Sequence, residues 1–167
     1  MKETATLNNQ LRPQEDAQVP DRAVQEQTQP GRIWIITDMH LGHVNIQKFE
    51  PRPEDFEARI RQNLWNMLRP GDTLIDLGDS HMGPAREFKN VMQDLTPPGV
   101  FRIAVRGNHD KNSAQKYRDI GILMTEALVI QGIYLSHHGT QTLPDDAAGQ
   151  LYGHYHSAPG NPGLVHG

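Results

Sequence analysis

Cysteine is absent from the sequence. Its absence excludes disulfides, thiolate metal sites and cysteine nucleophiles, and it fits a reducing compartment. Any metal ion must therefore be held by His, Asp, Glu or Asn side chains. We accordingly expect a cytoplasmic protein.

Long apolar runs are also absent. No stretch approaches the roughly 18 residues needed to cross a bilayer, and the opening "MKETATLNNQ" has no apolar signal core. A net charge of -4 gives no overall attraction to nucleic acid or to an anionic membrane. We therefore expect no membrane partner, and the site itself must indicate the substrate.

Aromatic residues are missing from the first 30 positions, which are rich in Gln, Pro, Asn and charged residues. Such a composition cannot bury a core, and we predict a disordered tail over residues 1–30. The remaining residues, 31–167, are enough for one domain.

Apolar runs define the expected elements of that domain. Strands are predicted from "RIWIIT" (32–37), "TLIDL" (73–77) and "VFRIAV" (100–105), and shorter ones from "ILMTEALVI", "IYLSHH" and "GQLYGHYH". A helix between the first two strands is indicated by apolar residues every four positions, namely Phe56, Ile60, Leu64 and Leu68. A second helix is expected to start at Pro84 and to present Phe88, Val91, Met92 and Leu95 on one face. The order predicts an α/β fold with a largely parallel first sheet.

Polar clusters follow the predicted strands, in the segments "TDMH", "LGDS", "GNHD", "LSHHG" and "GHYH". Residues two apart on an extended backbone leave the same face, which suits the pair Asp38/His40 to one ion. His154 and His156 are again two residues apart. The carboxyl ends of parallel strands meet at one edge of a sheet, where ligands of such folds bind. We therefore predict a shared metal site at this edge.

Each cluster taken alone has a simpler interpretation. "RGNHDK" could be a polar loop that closes a strand, and "LSHHG" could be a polar turn. Their joint occurrence, each after an apolar run, favours the metal site. The other histidines are interpreted as supporting, substrate-facing or surface residues: His43, His81, His138 and His166.

The ordered set Asp-x-His, Gly-Asp, Gly-Asn-His-Asp, His and Gly-His-x-His resembles the signature of the calcineurin-like metallophosphoesterases, over residues 32 to about 156. "DMHLGHVNIQKF" and "LRPGDTLIDLGD" are similar to a compact bacterial and phage branch of that family. The resemblance implies a double β-sandwich flanked by helices (α/β/β/α), with two metals at the sheet ends.

The resemblance also implies a role for each polar residue. By position, it assigns a first metal to Asp38, His40 and His156, a second metal to Asn108, His137 and His154, the bridge between them to Asp79, and a catalytic, substrate-facing role to His109. Arg106 and Lys111 flank the same loop and are candidates for phosphate contact.

Imidazole, carboxylate and carboxamide ligands without sulfur suit manganese, iron, zinc or nickel, and we expect manganese first. Such a centre would hydrolyse a small phosphodiester or phosphomonoester, for example a nucleotide, by in-line attack of a bridging hydroxide. One alternative is a nuclease acting on single strands. A nuclease needs a basic groove, and from residue 31 onward the chain has 13 Lys+Arg against 15 Asp+Glu, which disfavours it. The other is an inactive metal-binding scaffold, which the intact ligand positions disfavour.

Two features depart from the family pattern. Many members carry a proline two residues after the histidine that matches His137, where this chain has Gly139. Only eleven residues follow His156, including "LVHG". We therefore expect a reduced second sheet, or one completed by a second copy of the chain through edge pairing.

Overall fold

The computed structural model describes residues 30–155. The predicted tail before Pro30, His156, His166 and the "LVHG" segment lie outside the described residues. The strands are β1 (Ile33–Ile36), β2 (Thr73–Asp76), β3 (Phe101–Val105), β4 (Ile122–Thr125), β5 (Ala127–Ile130), β6 (Ile133–Ser136) and β7 (Gly149–Tyr152). The helices are α1 (Phe56–Met67), α2 (Phe88–Gln93) and α3 (Ala114–Arg118), with a 3₁₀ turn at Ile46–Lys48.

The strands form two sheets. Strands β1, β2, β3 and β4 lie in that order and pair in parallel throughout. In the second sheet, β6 pairs antiparallel with β5 and parallel with β7. The predicted α/β class and parallel first sheet are confirmed.

Two apolar clusters join the layers. The first lies between the parallel sheet and all three helices, and includes Leu64, Phe88, Met92 and Tyr117. The second joins the two sheets, and its buried members are Ile75, Leu77, Val105 and Leu135. Over residues 30–155 the layers are thus helices, parallel sheet and second sheet, which places the carboxyl ends of β1, β2 and β3 near that of β6.

Local sequence explains the end of helix α1 but not the start of helix α2. Helix α1 buries Leu64, and the chain turns extended at Leu68, two residues before Pro70. The predicted start of α2 at Pro84 is wrong by four residues. The Glu87 N–H bonds the Pro84 carbonyl at 2.9 Å, so a separate turn precedes the helix at Phe88.

Two further details of the second half were not predicted. Helix α3 has five residues, too few for a periodic apolar pattern, and begins where the Ser113 hydroxyl accepts a bond from the Lys116 N–H. The run "ILMTEALVI" splits at Glu126 into β4 and β5, which belong to different sheets. No helix in residues 30–155 is both long and apolar enough to cross a membrane.

Candidate metal centre

The loops that follow β1 and β2 run side by side beyond the strand ends. The Asp38 N–H bonds the Gly78 carbonyl at 3.0 Å, and the His40 N–H bonds the Asp79 carbonyl at 2.9 Å. This continued pairing fixes the "TDMH" and "GDSH" segments against each other, so that their polar side chains share one edge of the sheet.

Left-handed backbone is concentrated at the predicted ligands. Asp38, His40, Asp79 and His154 have φ values of 52°, 51°, 53° and 71°. Non-glycine residues rarely adopt this region, and strain of this kind is typical of functional sites. Met39, between the first two, is buried in the helix-side core. The left-handed backbone at Asp38 and His40 differs from the extended backbone from which this pair was predicted.

The Asp79 carboxylate lies at the centre of the cluster and is 1% exposed. Its Oδ1 accepts a bond from the His109 N–H at 2.9 Å, and its Oδ2 lies 3.4 Å from the His137 Nε2. Asp38, Asp79 and His137 each offer one ligand atom, and these three atoms lie within 4.8 Å of one another.

A second group of ligand atoms lies beside the first. The His137 Nε2 is 2.9 Å from the Asn108 Oδ1. His137, His138 and His154 offer ring nitrogens that all lie within 4.8 Å of one another. His138, interpreted from sequence as a supporting or surface residue, is therefore a further candidate ligand.

Asp38 and His40 form the other side of the centre. The His40 Nε2 lies 3.8 Å from the Asp38 Oδ1. The His154 N–H donates to the Asp38 Oδ2 at 3.0 Å, which ties the end of the second sheet to the end of β1. Six of the seven predicted metal ligands are thus brought together, and the seventh, His156, lies outside the described residues.

The surroundings of Asp79 and His154 favour the protonation states that bind metal, whereas those of His137 favour the protonated form, which does not. Burial would raise the pKa of Asp79, but bonds from His137 and from the His109 N–H lower it overall. Burial, followed by the neighbouring His138 and His137, lowers the pKa of His154, which favours its neutral imidazole. For His137, burial is outweighed by Asp79 and by the Leu77 carbonyl, and its pKa rises. The raised pKa favours the protonated imidazole, so a proton competes with a metal ion for His137.

The glycines of the motifs allow this close approach. Gly78 has φ of 106°, and a Cβ there would lie 2.7 Å from both the Gly107 N and the His137 Nδ1. A Cβ at Gly107 would overlap the Asp79 carboxylate. The "GD" and "GN" glycines are therefore required because Asp79 packs directly on the loop after β3.

The two candidate phosphate contacts differ in their surroundings. The Arg106 guanidinium bonds Glu126 at 3.0 Å and the carbonyls of Asp110 and Asn112 at 3.2 and 3.3 Å. Lys111 is exposed and lines a cleft next to His109. The structure thus gives Arg106 a role in bracing its own loop and leaves Lys111 facing open space.

Asp110 and Arg52 support the centre and were not predicted from sequence. The Asp110 carboxylate accepts bonds from the N–H groups of Asp79, Gly107 and Ser80, and from the Tyr117 hydroxyl. The only feature of the sequence that could have indicated this role is the position of Asp110 at the end of "GNHD".

Arg52 acts on the loop after β1. Its guanidinium bonds the carbonyls of Asp38 and Met39 at 2.8 and 2.9 Å and the carboxylate of Glu50 at 2.7 Å. The sequence around Arg52 has no feature that separates it from an ordinary surface arginine.

His43 and His81, which the sequence motif does not assign to a metal, also lie close to the centre. The ring of His43 is 5.9 Å from those of His40 and Phe49. His81 is buried, and its burial, outweighing the pull of Asp110, Glu57 and Glu87, lowers its pKa.

The donor set fits divalent transition-metal ions. One group joins the carboxylates of Asp38 and Asp79 to His137, and a second joins His137 to the imidazoles of His138 and His154. The Asn108 carboxamide oxygen lies beside His137. Such mixed nitrogen and oxygen sets bind manganese, iron, zinc or nickel.

Comparisons with known proteins point the same way. The family model described as calcineurin-like phosphoesterase matches residues 31–161. The uncharacterized protein MJ1445 of Methanocaldococcus jannaschii is 33% identical over 95 residues, which cover 53% of this chain and 52% of that protein.

A solved structure is also similar. The protein of unknown function AQ665 from Aquifex aeolicus shares 30% identity with a TM-score of 0.52, over 65% of this chain and 61% of that one. The match therefore spans about half of the archaeal protein and less than two thirds of the Aquifex chain.

Proposed function

The chain belongs to the calcineurin-like phosphoesterase family, whose members are metal-dependent phosphoesterases, and we propose that it is a two-metal hydrolase of a small phosphoester. The substrate class proposed is a phosphodiester or phosphomonoester, for example a nucleotide.

One observation carries this proposal. The buried Asp79 carboxylate offers a ligand atom that lies within 4.8 Å of ligand atoms of both Asp38 and His137. Asn108 and His154 adjoin His137, while His40 adjoins Asp38. A carboxylate between two such groups is what a pair of cations needs, because it lowers their mutual repulsion.

The ions, when bound, would supply Lewis acidity toward the phosphoryl oxygens and an activated water. The chain itself supplies orientation and a proton. The bond from the His109 N–H to Asp79 holds the His109 side chain next to the centre, with its ring 6.1 Å from that of His40. We assign His109 to protonation of the leaving oxygen or to stabilisation of charge on the phosphoryl group.

Hydrolysis assays test this function. The manganese-loaded protein is offered 4-nitrophenyl phosphate, bis(4-nitrophenyl) phosphate, cyclic nucleotides and single-stranded oligonucleotides. We expect metal-dependent hydrolysis of at least one small ester, lost in Asp79→Asn and kept in Asp145→Asn, a matched change at an exposed position outside the site.

Two results would change the assignment. Hydrolysis of oligonucleotides alone would favour the nuclease. Absence of all hydrolysis with manganese, iron, zinc and nickel would leave the chain as a metal-binding scaffold and contradict the proposed function.

The role of His109 has its own test. His109→Ala should lose about 10² to 10⁴ in rate, the usual range for general acid catalysis. If His109 protonates the leaving oxygen, the loss should be much smaller for a nitrophenyl ester than for an alkyl ester, because nitrophenolate needs little protonation. Equal losses on the two esters would instead indicate charge stabilisation at phosphorus.

A further inference from the structure

A cleft of about 250 Å³ opens beside the metal centre, and His109 belongs to both. One wall comes from the segment after β2, beginning at His81, and the other from the segment between β3 and α3 together with Lys116. The volume is below the roughly 300 to 1,000 Å³ of sites that enclose whole ligands, so it suits one group of a substrate.

The lining of this cleft carries two lysines, and the carboxylates of Asp110, Glu57 and Glu87 act on His81 from outside the lining. The two lysines are Lys111 and Lys116, and none of the described residues that line the cleft is acidic. The Lys116 Nζ lies 3.3 Å from the Asn112 Oδ1, so a buried amide orients this ammonium group toward the same wall. Two ammonium groups beside one cleft favour an anionic occupant.

His81 provides a second, independent observation. The residue is 2% exposed and lines the cleft, and neither of its ring nitrogens has a hydrogen-bond partner among residues 30–155. Its ring is held edge-on against Phe88, with ring centroids 5.6 Å apart. A buried polar group without a partner costs stability and is rare in folded proteins. Both nitrogens are closed to solvent, and a Cβ at Gly83 would lie 2.9 Å from the Nε2. A group bound in the cleft therefore completes the hydrogen bonding of His81 only when the Gly83 segment moves aside.

We propose that this cleft binds a second phosphate group, carried by the leaving-group part of the substrate. The proposal rests on the proposed function and takes the first of the two roles assigned there to His109, protonation of the leaving oxygen. That role places the leaving oxygen between the reacting phosphate and the cleft. The substrate is then a phosphoester whose released alcohol carries another phosphate, as in a nucleoside bisphosphate. Lys111 and Lys116 neutralise the distal phosphate, and His81 bonds one of its oxygens.

Binding of stable analogues tests the subsite without turnover. Calorimetry on the manganese-loaded protein compares propane-1,3-bisphosphonate with propylphosphonate, which differ only in the distal group. We expect the bisphosphonate to bind about 20-fold more tightly, since it adds charge-assisted bonds to two lysines. Lys116→Met should reduce this preference to about threefold. Lys89→Met, which removes an exposed lysine of α2 outside the cleft lining, should keep the full preference.

His81→Phe separates a binding role from a structural one. Phenylalanine keeps a ring against Phe88 but removes both nitrogens, so the variant should melt no lower than the wild type. It should nevertheless lose about fivefold of the preference for the bisphosphonate. A variant that melts lower and keeps the full preference would give His81 a structural role and remove it from the subsite.

Failure of the subsite and failure of the function give different results. Equal affinity for the two phosphonates overturns the subsite, whatever the activity. If 4-nitrophenyl phosphate is hydrolysed in that case, the proposed function stands. If the bisphosphonate preference is present and is lost in Lys116→Met, the subsite stands even when none of the tested esters is cleaved.

Discussion

Replacement of Asp110 by asparagine tests whether this buried carboxylate holds the metal loops in place. Its Oδ2 accepts the N–H groups of Asp79 and Gly107, both at 2.9 Å. Its Oδ1 accepts the Ser80 N–H at 3.2 Å and the Tyr117 hydroxyl at 3.0 Å. In Asp110→Asn, the carbonyl oxygen can keep the two shorter bonds and the amide can donate to Tyr117, but the Ser80 N–H then faces another donor.

The expected cost follows from this geometry. One buried N–H left without an acceptor costs about 1 to 3 kcal/mol, and the remaining bonds lose a charged acceptor. We expect the free energy of unfolding to fall by about 3 kcal/mol in urea titrations of the metal-free protein. Manganese affinity should fall about tenfold, because the Asp79 backbone is held less firmly and such supporting bonds typically matter by 10- to 100-fold.

Tyr117→Phe is the matched control for this prediction. It removes one donor to Asp110 but keeps the ring packed on Phe88, with centroids 4.6 Å apart, and leaves the three loop N–H bonds intact. We expect a cost of about 1 kcal/mol and unchanged manganese affinity. The reasoning would be refuted if Asp110→Asn had the same stability and the same manganese affinity as the wild type. Equal losses of manganese affinity in the two variants would refute it as well.

Other perturbations have equally definite outcomes. Asp79→Asn should lose most of its bound manganese in elemental analysis, because the bridge loses its charge; near-full occupancy would exclude a bridging role. Asn108→Ala should regain part of its lost rate at high manganese, whereas His109→Ala should not, and steady-state assays over a manganese series separate the two. Burial raises the pKa of Asp76 to about 7, so the unfolded chain releases this proton near its ordinary pKa of 3.8 while the folded protein keeps it. Stability should therefore fall as pH rises from about 4 to 7, and metal-free Asp76→Asn should exceed the wild type by up to about 4 kcal/mol at pH 8 and match it at pH 4, as measured by urea unfolding. Removal of residues 1–30 should leave activity within about twofold, since a tail of that composition buries little surface; a larger loss would show that the segment packs on the core or the site.

The sequence alone determined the features that depend on short-range periodicity. The runs that form β1, β2 and β3 are short segments rich in apolar residues, so they could be predicted as strands, although β1 leaves Ile33 and Ile35 43% exposed. The pairing of Asp38 with His40 was expected from extended backbone, but both residues lie beyond β1 and are left-handed. The ends of parallel strands meet at one edge in any such sheet, which is why Asp79 and Asn108 could be expected beside them.

Tertiary structure decided the features that depend on contacts between distant segments. His138 joins His154 because β6 and β7 pair in parallel, and the sequence had left it among the supporting residues. Asp110 reaches the Asp79 backbone across 31 positions, and Arg52 reaches the Asp38 carbonyl from a segment without a motif. His81 looks like an ordinary polar neighbour of "GD" until packing buries both its nitrogens. Hydrogen bonding and burial at these positions depend on which loops lie next to each other in the folded protein. The order of residues along the chain does not specify those contacts.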